Sequence, residues 1–178
     1  MKIVSLNIRG FKQEGKVKWF KEICNQSRAD IIAVQETKCG LVGDNWVEFL
    51  WGSKDFGFIQ KEAIGRSGGM LLIWDTNAFV VNQAVERDYF LAIKGNWKGH
   101  NCETIIVNVY GPHSDDKKKE MWTSLGLMEY GDVAWVFCGD FNEVRSMDER
   151  KNSQFHERKA ARFNRFIDST RLIEVPLV

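Results

Sequence analysis

Runs of consecutive apolar residues, each short and bounded by polar residues, recur along this chain. Residues 31–34, 70–74 and 105–107 are the clearest examples. A strand that is apolar at every position, without alternation, is typical of a sheet that is covered on both faces. The apolar runs therefore limit the chain to a layered structure in which sheets form the interior.

Three other segments have the periodicity of amphipathic helices. Apolar residues fall on one helical face in residues 17–24 and 160–167, and the segment 114–127 becomes apolar in its second half. The first of these segments joins the first two predicted strands, which indicates a strand–helix–strand start. About nine or ten strands and three helices are predicted, so the fold class is α/β and rich in sheet.

Composition sets the outer limits on function. The 178 residues suit one domain, residues 1–178, and 44% are hydrophobic and 28% charged, the balance of a globular protein. The formal net charge of +1 excludes a strongly basic coat for nucleic acid but not a local basic face. No apolar run approaches the ~20 residues of a membrane span, and the N-terminus turns polar too soon for a signal peptide.

The four cysteines form no metal-binding or disulfide pattern. None stands in a C-x-x-C pair or at zinc-ligand spacing with a histidine. Cys24, Cys102 and Cys138 have apolar neighbours, so we expect them in the core. This use of cysteine favours a reduced, intracellular compartment and does not distinguish the nucleus from the cytoplasm.

Polar residues stand where the apolar runs end. Asn7 and Glu36 end the first two predicted strands, Tyr110 ends a later one, and Asp140 and Asn142 follow the strand predicted over residues 133–138. In layered α/β folds the loops at strand ends build the functional site. We therefore expect these five side chains to converge.

Oxygen atoms dominate the chemistry of this set. Asn7, Glu36, Asp140 and Asn142 offer carboxylate and amide oxygens and no thiolate or imidazole, which is the ligand type that Mg²⁺ or Mn²⁺ prefers. An ion held in this way can polarise a phosphoryl oxygen and stabilise a leaving oxyanion. Tyr110 could donate a hydrogen bond to a phosphate oxygen. Each residue also has an ordinary structural interpretation, as a turn, cap or strand residue.

Four motifs in order give the chain a family resemblance. They are LNIRG at residues 6–10, IAVQETK at 32–38, NVYGPH at 108–113 and CGDFNE at 138–143. In this order they resemble the endonuclease/exonuclease/phosphatase superfamily, the deoxyribonuclease-I-like group. GGMLLIWD at 68–75, NEVR at 142–145 and FNRFI at 163–167 are most similar to the endonuclease domain of plant LINE-type (non-LTR) retrotransposons.

The resemblance implies a four-layer α/β sandwich with two central, mainly antiparallel mixed sheets. It also implies Mg²⁺-dependent (or Mn²⁺-dependent) nicking of DNA that leaves a 3′-hydroxyl for reverse transcription. In the family, the residue that matches Glu36 binds the metal and the one that matches Asn7 supports metal and phosphate. The match to Tyr110 contacts the phosphate, and those to Asp140 and Asn142 position the nucleophile and the scissile group.

Three further residues are assigned to substrate binding. Arg9 lies in the first motif, His113 ends the third, and Arg145 opens a basic stretch after the fourth. That stretch could track a phosphate backbone, although acidic residues are interspersed in it. The basic run at residues 117–119 is explained either as the solvated start of a helix or as a phosphate contact.

The family pattern continues beyond the point at which this chain ends. It goes on to a terminal Ser-Asp-His element, so we expect a domain that lacks its last strands and a reaction impaired by loss of a His-Asp pair. Open strand edges would then favour self-association. Two alternatives keep the fold: an inactive remnant that at most binds nucleic acid or a protein partner, and a phosphodiesterase with another substrate.

Overall fold

A computed structural model describes residues 1–65, 67–126, 128, 133–150 and 154–175 of the chain. Its residue contacts group into two compact units. The first unit comprises residues 1–110 and 132–140, and the second comprises residues 111–131 and 141–178. Within the described ranges there are eight strands and four helices, distributed between the units. The predicted α/β class is confirmed.

The first unit contains two four-stranded mixed sheets. Sheet A has the order β1-β2-β4-β3, with β1 and β2 parallel and the other pairs antiparallel. Its strands are β1 (Ile3–Asn7), β2 (Ile31–Gln35), β3 (Phe56–Ile64) and β4 (Ser67–Asp75). The helix α1 (Lys16–Ser27) joins β1 to β2, so the predicted strand–helix–strand start is confirmed.

Sheet B has the order β5-β6-β7-β8, with only β7 and β8 parallel. Its strands are β5 (Phe79–Glu86), β6 (Phe90–Trp97), β7 (Glu103–Tyr110) and β8 (Ala134–Asp140). The prediction that this last strand ends at Cys138 was wrong. Gly139 adopts φ 125°, and because it has no side chain the ladder continues, with Asp140 opposite Tyr110.

Side chains of β2 alternate between two apolar cores. Ile32 and Val34 belong to the core beneath the helices, whereas Ile31 and Ala33 belong to the core between the two sheets. This is the arrangement that an uninterrupted apolar run predicts. Sheet A is therefore covered on both faces, and its strand ends are held in fixed positions.

A short helix in the first unit was not predicted. This helix, α2 (Asp44–Trp51), packs with α1 over sheet A and buries Val47 and Leu50. It has only eight residues, which is shorter than a helix that is stable by itself, so it depends on its packing against the rest of the unit. Cys102 was also placed wrongly, since it precedes β7 and is exposed.

The second unit contains α3 (Asp115–Gly126) and α4 (Glu157–Thr170). Trp122 of α3 stacks on Phe163 and packs against Phe166 of α4, with ring centroids 5.6 and 4.9 Å apart. Phe141 packs on the same pair of helices, 5.1 Å from Phe163. The helical stripes predicted in both segments are confirmed, although residue 127, where the first was predicted to end, lies outside the described residues. No helix in the described ranges is long and apolar enough to cross a membrane.

Candidate active site

Four of the predicted site residues meet at the strand ends of the first unit. Asn7 ends β1, and its Nδ2 donates to Oδ2 of Asp140 at the end of β8, 2.7 Å away. The Tyr110 side chain is hydrogen-bonded to Glu36, and Tyr110 is also the ladder partner of Asp140. Both sheets thus contribute to one cluster of polar groups, which we call the strand-end cluster (Asn7, Glu36, Tyr110 and Asp140).

The backbone at Glu36 has an unusual conformation. Glu36 has φ 55° and Lys38 has φ 54°, both in the left-handed region. The segment is held by the N–H groups of Thr37 and Lys38, which donate to the carbonyls of Gly69 and Gly68 at 3.1 and 3.0 Å. A Cβ atom at Gly69 would collide with the Thr37 hydroxyl, so this approach requires glycine. Strain of this kind is commonly found at functional sites.

Tyr110 stays protonated over the physiological range. Burial, followed by the negative charges of Glu36 and Asp140 and the hydrogen bond to Glu36, raises the pKa of Tyr110 to about 12. Each of these effects disfavours the phenolate. The hydroxyl therefore remains a hydrogen-bond donor, as contact with a phosphate oxygen would need.

Lys38 is a member of the site that sequence reasoning missed. Its Nζ lies 2.9 Å from Glu36 Oε1, with the two side chains 35% and 20% exposed. A Cβ atom at Gly10 would collide with the aliphatic part of the Lys38 side chain. Because glycine has no Cβ atom, that side chain has room. The only signal in the sequence was the position of a lysine two residues after the expected metal ligand.

Two buried amides join the sheets behind the strand-end cluster. Gln35 Nε2 donates to Asn108 Oδ1 at 2.7 Å, and Asn108 Nδ2 donates to the carbonyls of Val34 and Leu71 at 3.1 and 3.2 Å. Gln35 and Asn108 are 1% and 0% exposed. Gln35 precedes Glu36, and Asn108 lies two residues before Tyr110. A polar residue inside an apolar strand was the signal for this pair, and its partner could not be identified from the sequence.

The strand-end cluster offers a cation oxygen ligands. No group of three or more His, Cys, Asp or Glu within the described ranges is arranged to hold a metal ion. Mg²⁺, however, usually keeps several waters and takes only one or two carboxylates. Glu36 and Asp140 supply that number of carboxylates. The side-chain Oδ1 of Asn7 accepts a 3.1 Å hydrogen bond from the Arg9 backbone N–H and has a second lone pair. The donor set fits a hard divalent ion.

Asn142 belongs to the second unit. It has φ 51°, and its Nδ2 donates to the Gly111 carbonyl at 2.6 Å. Its own carbonyl accepts a hydrogen bond from Lys118 Nζ at 2.7 Å. Asn142 follows Asp140 by two residues, so chain length alone keeps their Cα atoms within about 7 Å. Its assignment to the site stays a prediction.

The residues assigned to substrate binding are placed differently. Arg9 is exposed, and its backbone N–H contacts Asn7. His113 is exposed in the second unit. The Arg145 guanidinium is engaged by Asn164 Oδ1 and Glu174 Oε2, both at 3.0 Å. Arg145 thus shapes its own unit, and substrate contact by any of the three stays a prediction.

Comparison with solved structures gives the same fold at low sequence identity. An AP endonuclease from Leishmania major, LMAP, has a TM-score of 0.72 and 12% identity over 95% of this chain and 66% of its own. A humanized D. rerio TDP2 gives a TM-score of 0.60 and 13% identity over 81% and 63%. The human nocturnin catalytic domain, with a bound sulfate anion, gives 0.61 and 12% over 82% and 65%. The chain spans less than two thirds of each of these structures.

A family model gives the assignment. No curated protein sequence matches the chain significantly. The model of the endonuclease/exonuclease/phosphatase family matches residues 4–171, which includes the whole strand-end cluster and nearly the whole chain. The chain therefore belongs to the endonuclease/exonuclease/phosphatase family.

Proposed function

We propose that the protein is a metal-dependent phosphodiesterase that nicks DNA, of the retrotransposon endonuclease type. The observation that carries this proposal is the pairing of Asn7 with Asp140 and of Tyr110 with Glu36 at adjoining strand ends. Members of the family generally use divalent metal ions. The motifs at residues 68–75 and 163–167 support the LINE type, and one similar structure is an AP endonuclease.

Mg²⁺ or Mn²⁺ would be held by Glu36, with the side-chain oxygen of Asn7 as a further ligand. The ion would supply positive charge to balance the charge on the phosphoryl group and on the leaving oxygen. Tyr110, which stays protonated, donates a hydrogen bond to a non-bridging phosphate oxygen. Asp140 is oriented by the Asn7 amide and accepts a proton from the attacking water. Asn142 is assigned the role of orienting the scissile phosphate.

Nicking of supercoiled plasmid tests this proposal. Purified protein is incubated with Mg²⁺, with Mn²⁺ and with EDTA, beside the variants Glu36→Ala and Asp140→Ala. Glu22→Ala, a change of an exposed glutamate on α1, is the matched control. We expect metal-dependent nicking that both site variants lose by at least about 100-fold and that the control keeps. Equal nicking by all forms would refute the site.

The same assay would also identify an inactive remnant. It would bind DNA in the presence of EDTA and nick none of it. A third set of reactions, with phosphodiester substrates other than DNA, separates loss of chemistry from a different substrate. Cleavage of such a substrate that Glu36→Ala abolishes would keep the site and change the substrate.

Self-association through open sheet edges is also proposed. Among the described strands, β1 pairs only with β2, so one edge of β1 has no strand partner there. β1 contacts β8, and most of β8 is apolar and only half-buried. Exposed apolar edges are templates for strand pairing. Sedimentation velocity should show an average mass that rises with concentration, and a monomer at every concentration would contradict this.

A further inference from the structure

One lysine of α3 is buried, whereas its two neighbours are not. Lys118 is 4% exposed, and Lys117 and Lys119 on either side are exposed. The run at residues 117–119 therefore does not act as a uniform basic patch. A buried ammonium is costly unless it is paired and hydrogen-bonded, so Lys118 needs a structural or functional reason.

The contacts of Lys118 all lie within the second unit. Its Nζ forms an ion pair with Glu143 Oε1, and both side chains are only 5% exposed. The same Nζ donates to the carbonyl oxygen of Asn142 at 2.7 Å. Lys118 thus holds two consecutive residues, one through its side chain and the other through its backbone.

The backbone conformation of Asn142 and a hydrogen bond of its side chain also restrain it. Its φ of 51° is the left-handed conformation, which a non-glycine residue adopts at a cost unless its surroundings impose it. Its side-chain Nδ2 donates to the Gly111 carbonyl at 2.6 Å. Gly111 in turn lies so close to the Phe141 carbonyl that a Cβ atom would collide with it. The Lys118 contact adds a charged hydrogen-bond donor to these restraints.

We propose that Lys118 is a positioning residue, which holds the Asn142 backbone so that its side chain is presented in one orientation. The effect on catalysis rests on the proposed function, because it assumes that Asn142 orients the phosphate. The effect on Asn142 itself does not, since it concerns only contacts within the second unit. These two consequences can be measured separately.

The competing explanation is that Lys118 merely stabilises the unit through its ion pair with Glu143. The variant Glu143→Gln removes the negative charge of the pair and keeps Lys118 Nζ as the donor to the Asn142 carbonyl. It should lower the melting temperature, because the buried ammonium loses its counter-charge, so it is compared with the other forms at a temperature where all are folded. The double variant Lys118→Met/Glu143→Leu removes both charges, so it leaves no unpaired ion and tends to preserve stability. It also removes the donor to Asn142. Lys117→Met is the matched control, because Lys117 is an exposed lysine of the same helix.

The experiment combines NMR with nicking kinetics on the full chain. Hydrogen exchange of the Asn142 side-chain amide is followed in protein labelled with ¹⁵N-asparagine, the resonance being identified by its loss in Asn142→Asp. In the double variant we expect this exchange to be at least about 10-fold faster, with an unchanged melting temperature. We expect kcat for nicking to fall about 10- to 100-fold with little change in KM, since misorientation affects the reacting geometry. Glu143→Gln and Lys117→Met should keep both properties near the parent values.

The outcomes separate the two proposals. Parent-like exchange of the Asn142 amide in the folded double variant would overturn the positioning role, whatever the activity. A fall in kcat for Glu143→Gln as large as that for the double variant would also overturn it, in favour of the ion pair. Faster amide exchange in a protein whose parent form never nicks would keep the positioning role and refute the proposed function instead.

Discussion

At the scale of single residues, the site depends on two carboxylates that lie close together and have different partners. Glu36 is paired with Lys38, and Asp140 accepts a hydrogen bond from Asn7. Tyr110 lies near both carboxylates, and burial together with their negative charges raises its pKa, so its proton is retained. One hydroxyl donor between two carboxylates is an arrangement suited to a phosphate and a cation together.

The titration of Tyr110 gives the first prediction. Its pKa is about 12 in the folded protein, against the ordinary tyrosine value of 10.0. The folded pKa is raised, so the stabilisation is fully present below pH 10 and is lost as the pH rises through about 12. The tyrosinate absorbance of the parent and that of Tyr110→Phe should therefore be the same up to pH 10. As the pH rises further towards 12, the parent should form one tyrosinate more than the variant. A difference complete by pH 10 would contradict this environment.

Tyr110→Phe also tests the role of the hydroxyl in catalysis. The variant keeps the ring and loses one donor to the phosphate, so kcat for nicking should fall about 10- to 100-fold while the fold is retained. Glu22→Ala, the exposed α1 variant of the nicking assay, is the control and should nick like the parent. Unchanged kcat in Tyr110→Phe would remove the hydroxyl from the proposed mechanism.

At the scale of the elements, the register of the strands places the site. Asn7 is opposite Gln35 in sheet A, and Tyr110 is opposite Asp140 in sheet B. The apolar runs and the polar residues at their ends predicted most of this arrangement. The pairing of distant strands and the contact between Gln35 and Asn108 decide which strand ends meet. Neither can be read from the local pattern of apolar and polar residues. The helix at Asp44–Trp51 was missed for the same reason, since tertiary packing rather than period stabilises it.

The buried amide pair gives a prediction at this scale. Asn108→Leu leaves Gln35 and two strand carbonyls with a lost partner in the core, so the free energy of unfolding should fall by about 1–3 kcal/mol. Urea unfolding measures this loss. Gln35→Leu/Asn108→Leu should lose less than the sum of the single changes, because the two residues share one hydrogen bond. Additive losses would show that the amides act independently.

Gly139 gives a second prediction for the strands. It has φ 125°, and a Cβ atom there would collide with the Val109 carbonyl of the neighbouring strand. Gly139→Ala should therefore lower the free energy of unfolding by more than about 2 kcal/mol and move Asp140 away from Tyr110. Gly126→Ala, where nothing lies within 4 Å of the added atom, is the control. Equal stability of the two variants in urea would contradict the close approach.

At the scale of the whole molecule, the sequence predicted the family and the fold class more completely than the residues of the site. The four ordered motifs predicted the family, and the family model confirms it over residues 4–171. The α/β class and the two mixed sheets are confirmed as well. Lys38, Gln35 and Lys118 were not predicted to take part, because an ion pair or a buried hydrogen bond depends on a distant partner. The DNA substrate and the retrotransposon type stay predictions.

The central claim is that the strand-end cluster holds a divalent ion at Glu36. Binding of Mn²⁺, measured from the electron paramagnetic resonance signal of the free ion, tests it without relying on turnover. The parent protein should bind Mn²⁺, Mg²⁺ should compete for the same site, and Glu36→Ala should lose that binding while Glu22→Ala keeps it. Equal Mn²⁺ binding by all three proteins, or none by the folded parent, would contradict the account.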